Sequence, residues 1–253
     1  MQSAGVEVWT ARPAMLGCDA CAAFSRLLDE TELERSQRLR FDADRRAFIV
    51  AHAMRRMALA MALALDPQDL RFGTGSHGQP VLLGTGVMRA PSFSLSRTRD
   101  FVACAVSRDG PVGIDVETIR DGVDASLLAR YMQPWDAQGD EAFYVQWTAL
   151  EAYWKAQGLG LSASHPHIAL REYGEDCWSV AFAEHNRQTG LVALRLPAPP
   201  THVLSLACTE RDSVRIVELD ALANAPHAAP SDALSTCKDG NCGVAAAPRI
   251  FSA

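Results

Sequence analysis

Asp115 and Glu117 stand on either side of a single valine in VGIDVETIR, residues 112–120, a segment whose other residues read as a buried strand. Side chains alternate faces along a strand, so Val112, Ile114 and Val116 point one way while Gly113, Asp115 and Glu117 point the other. Two residues of extended chain separate the carboxylates by roughly 6–7 Å. Like charges about 6 Å apart repel by about 3 kcal/mol at an effective dielectric of about 20. Water, arginine partners, a shared proton or a divalent cation would each relieve that repulsion. The plain alternative is a solvated strand face.

A second stretch, WTALEAYWKAQG (residues 147–158), sets Glu151 and Lys155 four apart, on one face of a helix. An ordinary Glu–Lys surface pair has the same spacing. Composition speaks against it: of 24 basic residues only Lys155 and Lys238 are lysine. A lysine inside a patterned segment of so arginine-rich a chain invites a chemical reason, since a compact ammonium and a planar guanidinium are not interchangeable. A third carboxylate beside it would combine with Asp115 and Glu117 into a set suited to Mg²⁺, which takes a few carboxylates, waters and phosphate oxygens.

The elements that must carry these residues read as follows. GVEVWTARP alternates like a strand, and LLDETELERSQRLRF reads as a helix with Asp29 or Thr31 as N-cap. DADRRAFIVAHAMRRMALAMALAL is a stronger helix, with Ile49, Ala53, Met57, Ala60, Met61 and Ala64 in an apolar stripe and Pro67 ending it. LRFG, QPVLLG, PSFSLSR, FVACAVS and PVGIDVE are short strands expected to form a mostly antiparallel sheet. DASLLARYM and DEAFYVQWTALEAYWKAQG return to helix; HIALREY, CWSVAFAE, GLVALRLP, HVLSLACTE and RIVELD form a second set of strands. The order predicts an α+β fold of two halves, 1–118 and 119–220, followed by an Ala/Pro/Ser-rich tail, 221–253, expected to be mobile.

The 253 residues carry a net charge of −6, which argues against general nucleic-acid binding, and no apolar run reaches the length of a membrane span. The N-terminus lacks a basic region followed by an apolar one, so a cytoplasmic location is expected, and seven irregularly spaced cysteines fit free thiols. Weaker motifs resolve to plainer readings. GTGSHG, residues 73–78, precedes a strand rather than a helix and reads as a hairpin turn. His165 and His167 lack a third ligand, and the pairs Cys18/Cys21 and Cys237/Cys242 are a remote zinc candidate.

In combination, VGIDVE and WTALEAYWKAQGLGLS resemble the paired signature of the 4′-phosphopantetheinyl transferases of the surfactin-synthetase-activating type. DRRAFIVAHAMRR, GQP, FSLSRTRDFVACAVS and RYMQPWD resemble further family segments in the same order, over roughly residues 38 to 165. The resemblance implies two pseudo-duplicated α+β halves, each a small, largely antiparallel sheet packed with helices, and commonly a monomer. It implies Mg²⁺-dependent transfer of the phosphopantetheine arm of coenzyme A to a serine of an acyl or peptidyl carrier protein, as in polyketide or nonribosomal peptide biosynthesis. Asp115, Glu117 and Glu151 match the metal ligands. Glu151 and Lys155 match the catalytic pair, with Asp115 and Lys155 also facing the coenzyme. Arg46, Gln79, Pro80, Ser96 and Arg97 match coenzyme-contacting positions.

The sequence departs from the family pattern where Gln79 and Leu150 replace lysines, Arg97 replaces a histidine, Met132-Gln133 replaces Phe-Ser and Asp136 replaces glutamate. Lysine at 79 and 150 is accordingly expected to tighten coenzyme binding. The same departures admit an alternative: a family-fold protein without transferase activity, binding a carrier or acting on a carrier-bound intermediate. The arginines from Arg35 to Arg56 are a candidate field for steering an acidic carrier.

Overall fold

A computed structural model describes residues 5–84, 86, 90–133, 138–160, 165–184, 186–210 and 212–220. The tail 221–253, Asp136, Cys237 and Cys242 lie outside the described residues. The described chain runs β1 (Gly5–Ala11), α1 (Cys18–Ser25), α2 (Glu30–Gln37), α3 (Asp42–Leu63), β2 (Arg71–Thr74), β3 (Pro80–Leu83), β4 (Ser92–Arg97), β5 (Val102–Ser107) and β6 (Gly113–Thr118). It continues through a 3₁₀ segment (Ala125–Arg130), α4 (Asp140–Ala156), β7 (Ile168–Gly174), β8 (Cys177–Phe182), β9 (Arg187–Leu196), β10 (His202–Thr209) and β11 (Ser213–Glu218).

Two sheets stack between outer helices. The first has strand order β11-β1-β5-β4 and the second β6-β10-β9-β8-β7, while β2 and β3 form a separate hairpin. Alternation along the strands builds the layers. In β5, Val102, Cys104 and Val106 pack with α3, whereas Ala103 and Ala105 join Val6 and Val8 of β1 in the core between the sheets. From the second sheet Ile114, Val116, Leu204 and Leu206 fill that same central core. Val203 and Ala207 point the opposite way, toward Leu150, Ala152 and Tyr153 of α4. The α+β class and the mainly antiparallel pairing follow from this arrangement.

Local sequence explains the helix boundaries. Asp29 caps α2 by accepting from the Glu32 N–H, and the Glu32 carboxylate returns to the Asp29 N–H, a complete capping box. The long helix α3 stops before Pro67, with Ala64 in the left-handed region at φ 56°. Its buried face is wider than the alanine–methionine stripe and includes Arg55 and Arg56.

Three expectations are corrected. The strands from Arg71 to Thr118 do not share one sheet: β2–β3 stand apart, β4 and β5 join the first sheet and β6 joins the second. The DASLLARYM helix is a 3₁₀ segment. The last strand, β11, pairs in parallel with β1 in the first sheet rather than with its sequence neighbours. Each sheet thus contains one strand from the other side of residue 118.

Candidate functional site

β4 and β6 are the facing edges of the two sheets, and serine hydroxyls close the gap between them. The Ile114 N–H donates to Ser94 Oγ at 3.0 Å and the Val116 N–H donates to Ser96 Oγ at 3.2 Å. Side chains thereby satisfy edge-strand donors that a direct main-chain ladder would otherwise take. Ser96 is shared further, donating to Asp115 Oδ1 at 2.9 Å.

α4 lies across the same strand at very short range. A Cβ placed on Gly113 would fall 1.9 Å from the Ala152 carbonyl oxygen and 2.5 Å from the Ala156 nitrogen. Buried Ala149, Ala152 and Ala156 give the helix a low-profile contact face. Thr148 pins it in register: its Oγ1 is 2.7 Å from Ser205 Oγ, and Ser205 is paired with Asp115 across β10 and β6. This docking sets Glu151 and Lys155 against the polar face of β6.

Asp115 is the centre of the arrangement, with a side chain 5% exposed. Lys155 Nζ donates to Asp115 Oδ1 at 2.6 Å and to Ser96 Oγ at 3.3 Å. Asp115 Oδ2 is buried and has no hydrogen-bond partner among the described residues. An unpaired buried carboxylate oxygen is costly, so this atom is a natural seat for a cation or a donor. Burial, then the charge of Asp115, push the Glu117 and Glu151 carboxyls above the usual glutamate range. Lys155 acts against both shifts, and Glu117 adds to that of Glu151. The three acids therefore feel one another. Among the described residues they do not close into a tight ion-binding cluster.

The other predicted residues divide into two groups. Gln79 shapes the β2–β3 turn, where its Oε1 accepts from the His77 N–H at 3.0 Å and Pro80 opens β3. Its Nε2 would be 3.7 Å from a Cβ on Gly158, so the hairpin tip reaches the end of α4 just beyond Lys155. Arg97, at the end of β4, is exposed and lies 5.5 Å from the centre of the Phe48 ring. Arg46 is on α3 and donates from Nη1 to the Leu16 carbonyl at 3.1 Å. Arg46 and Arg97 thus belong to the α3 side, apart from the Asp115–Ser96–Lys155 contact.

Leu150 is fully buried beneath α4 with Phe143, Tyr153 and Ile168. An apolar residue there is what the packing requires, which replaces its reading as a vacated phosphate contact. Arg55 and Arg56 are likewise withdrawn from any steering surface. Arg56 donates to Glu32 Oε2 at 2.7 Å, Asp29 Oδ2 at 2.6 Å, and the Pro67 and Leu70 carbonyls, while Arg55 bonds the other Glu32 oxygen. The His165 ring lies 4.3 Å from that of Trp154 at a tilt of 36°, and His167 Nε2 is 3.1 Å from the Arg130 carbonyl oxygen. Ser94, Thr148, Ser205, Thr98, Thr118 and His202 were not singled out by sequence. The alternation Ser94–Ser96–Thr98 opposite Ile114–Val116–Thr118 is the pattern that carried the signal of Ser94, Thr98 and Thr118.

Fold and site together define an α+β protein whose two stacked sheets are bridged at their β4 and β6 edges, beside a buried acid and an acid–lysine helix. No protein-family model matches the chain. It is 32% identical over 145 residues to the 4′-phosphopantetheinyl transferase HetI of Nostoc sp., covering 53% of this chain and 61% of that protein. It is 30% identical to 4′-phosphopantetheinyl transferase psf-1 of Bacillus pumilus, covering 64% and 65%, and 23% identical to Sfp of Bacillus subtilis, covering 58% and 68%. The match thus spans less than two thirds of the length of HetI and psf-1. Over more than half of its length the chain is similar to 4′-phosphopantetheinyl transferases, as a divergent relative.

Proposed function

We propose that this protein transfers the 4′-phosphopantetheine arm of coenzyme A to a serine hydroxyl of an acyl or peptidyl carrier protein, in a Mg²⁺-dependent reaction. The observation that supports it most is the buried Asp115, whose Oδ1 is held by Lys155 and Ser96 while its Oδ2 is left without a partner. The donor set fits a hard cation: oxygen ligands, one of them orphaned, with two further carboxylates held above their usual range. Asp115, Glu117 and Glu151 would hold Mg²⁺, which when bound supplies neutralising charge to the coenzyme pyrophosphate.

The chain's own residues account for the rest of the chemistry. Glu151 is half-buried, with its carboxyl held above the usual glutamate range by burial and then by Asp115, and in its ionised form it can take the serine proton. The serine oxygen then forms the new phosphoester bond as the phosphoanhydride bond breaks, and adenosine 3′,5′-bisphosphate leaves. Lys155 orients Asp115 and offers its third N–H to phosphate. Arg97 presents an exposed guanidinium to the coenzyme from a ring platform, and can grip phosphate by two donors at once. Gln79 and Pro80, at the hairpin beside the end of α4, and Arg46 on α3 would contact the coenzyme.

Incubation with coenzyme A, Mg²⁺ and a panel of apo carrier proteins, read by intact mass, tests the proposal. A carrier that gains the phosphopantetheinyl mass with the wild-type chain and not with Asp115→Asn supports it. Carriers left unchanged while a control transferase modifies them all overturn it and favour a non-transferring carrier-binding role.

A further inference from the structure

The serine contacts between the sheet edges are two rungs of a longer side-chain ladder. Positions 94, 96 and 98 alternate toward 114, 116 and 118, and the third rung is built differently. Thr98 Oγ1 lies 3.1 Å and Thr118 Oγ1 lies 3.2 Å from the same atom, His202 Nε2. The other ring nitrogen, Nδ1, is 3.0 Å from Thr201 Oγ1. His202 is 6% exposed and its ring centre is 5.9 Å from that of Phe101. Burial holds the imidazole below its ordinary value, with Asp100 acting the other way. Thr98 also fastens its own turn, donating to the Phe101 carbonyl and accepting from the Phe101 N–H at 3.0 Å.

The placement is informative. Thr98 directly follows Arg97, and Thr118 directly follows Glu117. Those two residues belong to different sheets, yet each is one peptide from a hydroxyl beside one imidazole nitrogen. A buried histidine on an apolar strand would meet its needs with local partners alone. Here the ring reaches both sheets.

We propose that His202 is a positioning residue for the transfer site: its Nε2 fixes the spacing between the Arg97 end of the first sheet and the Glu117 end of the second. This rests on the transferase reading above. Small displacements of positioning groups remote from the reacting atoms are expensive in rate, up to about a hundredfold for 1 Å.

Two amide variants separate positioning from packing. In His202→Gln the amide reaches the place of Nε2 and can serve Thr98 and Thr118. In His202→Asn it reaches only the place of Nδ1, beside Thr201. The proposal predicts that His202→Asn lowers kcat/KM by about tenfold or more while His202→Gln keeps most of it, at matched fractions of folded protein. Equal kinetic constants for both variants, or losses that follow their melting temperatures alone, overturn it. An inactive wild-type chain overturns the transferase reading instead. Amide exchange along β6 then reads the clamp by itself: faster exchange in His202→Asn than in His202→Gln supports it, and equal exchange overturns it.

Discussion

Asp115 has two chemically distinct oxygens, one bonded to Ser96 and Lys155 and one buried without a partner. Charge around it is frustrated, and the frustration has a sign. The Glu117 and Glu151 carboxyls are raised by burial first and by Asp115 next. Between the ordinary glutamate value, about 4.3, and the raised values, the folded chain keeps protons that the unfolded chain has lost. Folding stability therefore falls as pH rises through that window and does not recover above it. Glu151→Gln should raise the melting temperature of the metal-free protein at neutral pH, by scanning calorimetry, while reducing transfer by about a hundredfold or more. Gln79→Lys, at the hairpin tip near Gly158, should tighten coenzyme A binding roughly tenfold or more by calorimetry, the return on one charge-assisted bond of about 1.5–3 kcal/mol.

At the scale of elements, α4 and β6 position the site through an approach only glycine permits. Gly113→Ala would drive a methyl into the Ala152 carbonyl, and should destabilise the fold by about 1–3 kcal/mol or more in denaturant unfolding. Leu150→Lys should cost about 3 kcal/mol or more in the same measurement, because a 0% exposed position offers the ammonium no partner. These elements were well marked in sequence: the alternation of VGIDVE, the Glu151–Lys155 spacing and the Asp29 cap each have a local cause, and each element formed. Leu150 was legible only as a letter in a motif, since helix face depends on where the sheet lies. Pairing was the least legible feature. Nothing local in SVRIVE distinguishes a partner on β9 or β10 from a parallel partner more than 200 residues earlier in the chain.

The whole molecule is held by sheets that face one another, share one core and exchange a strand across residue 118. A buried ionic cluster braces its outer helical layer. Burial alone would raise Glu32, but hydrogen bonding to His52, the Arg55 charge, the Asp29 N–H and Arg56 outweigh it and hold its carboxyl at about 2. Stability from this group is fully present above its unfolded value and is lost as pH falls toward about 2. Glu32→Gln takes from buried Arg55 its carboxylate partner and leaves Arg56 with Asp29 alone, and should cost about 3–5 kcal/mol in urea unfolding, without changing the transfer chemistry of the folded fraction.

Calorimetric titration of Mg²⁺ into the protein with coenzyme A present tests most directly whether Asp115, Glu117 and Glu151 share one divalent ion. One ion per chain should bind, and binding should be lost in Asp115→Asn while that variant stays folded. No binding to the wild-type protein, or undiminished binding to Asp115→Asn, would contradict it.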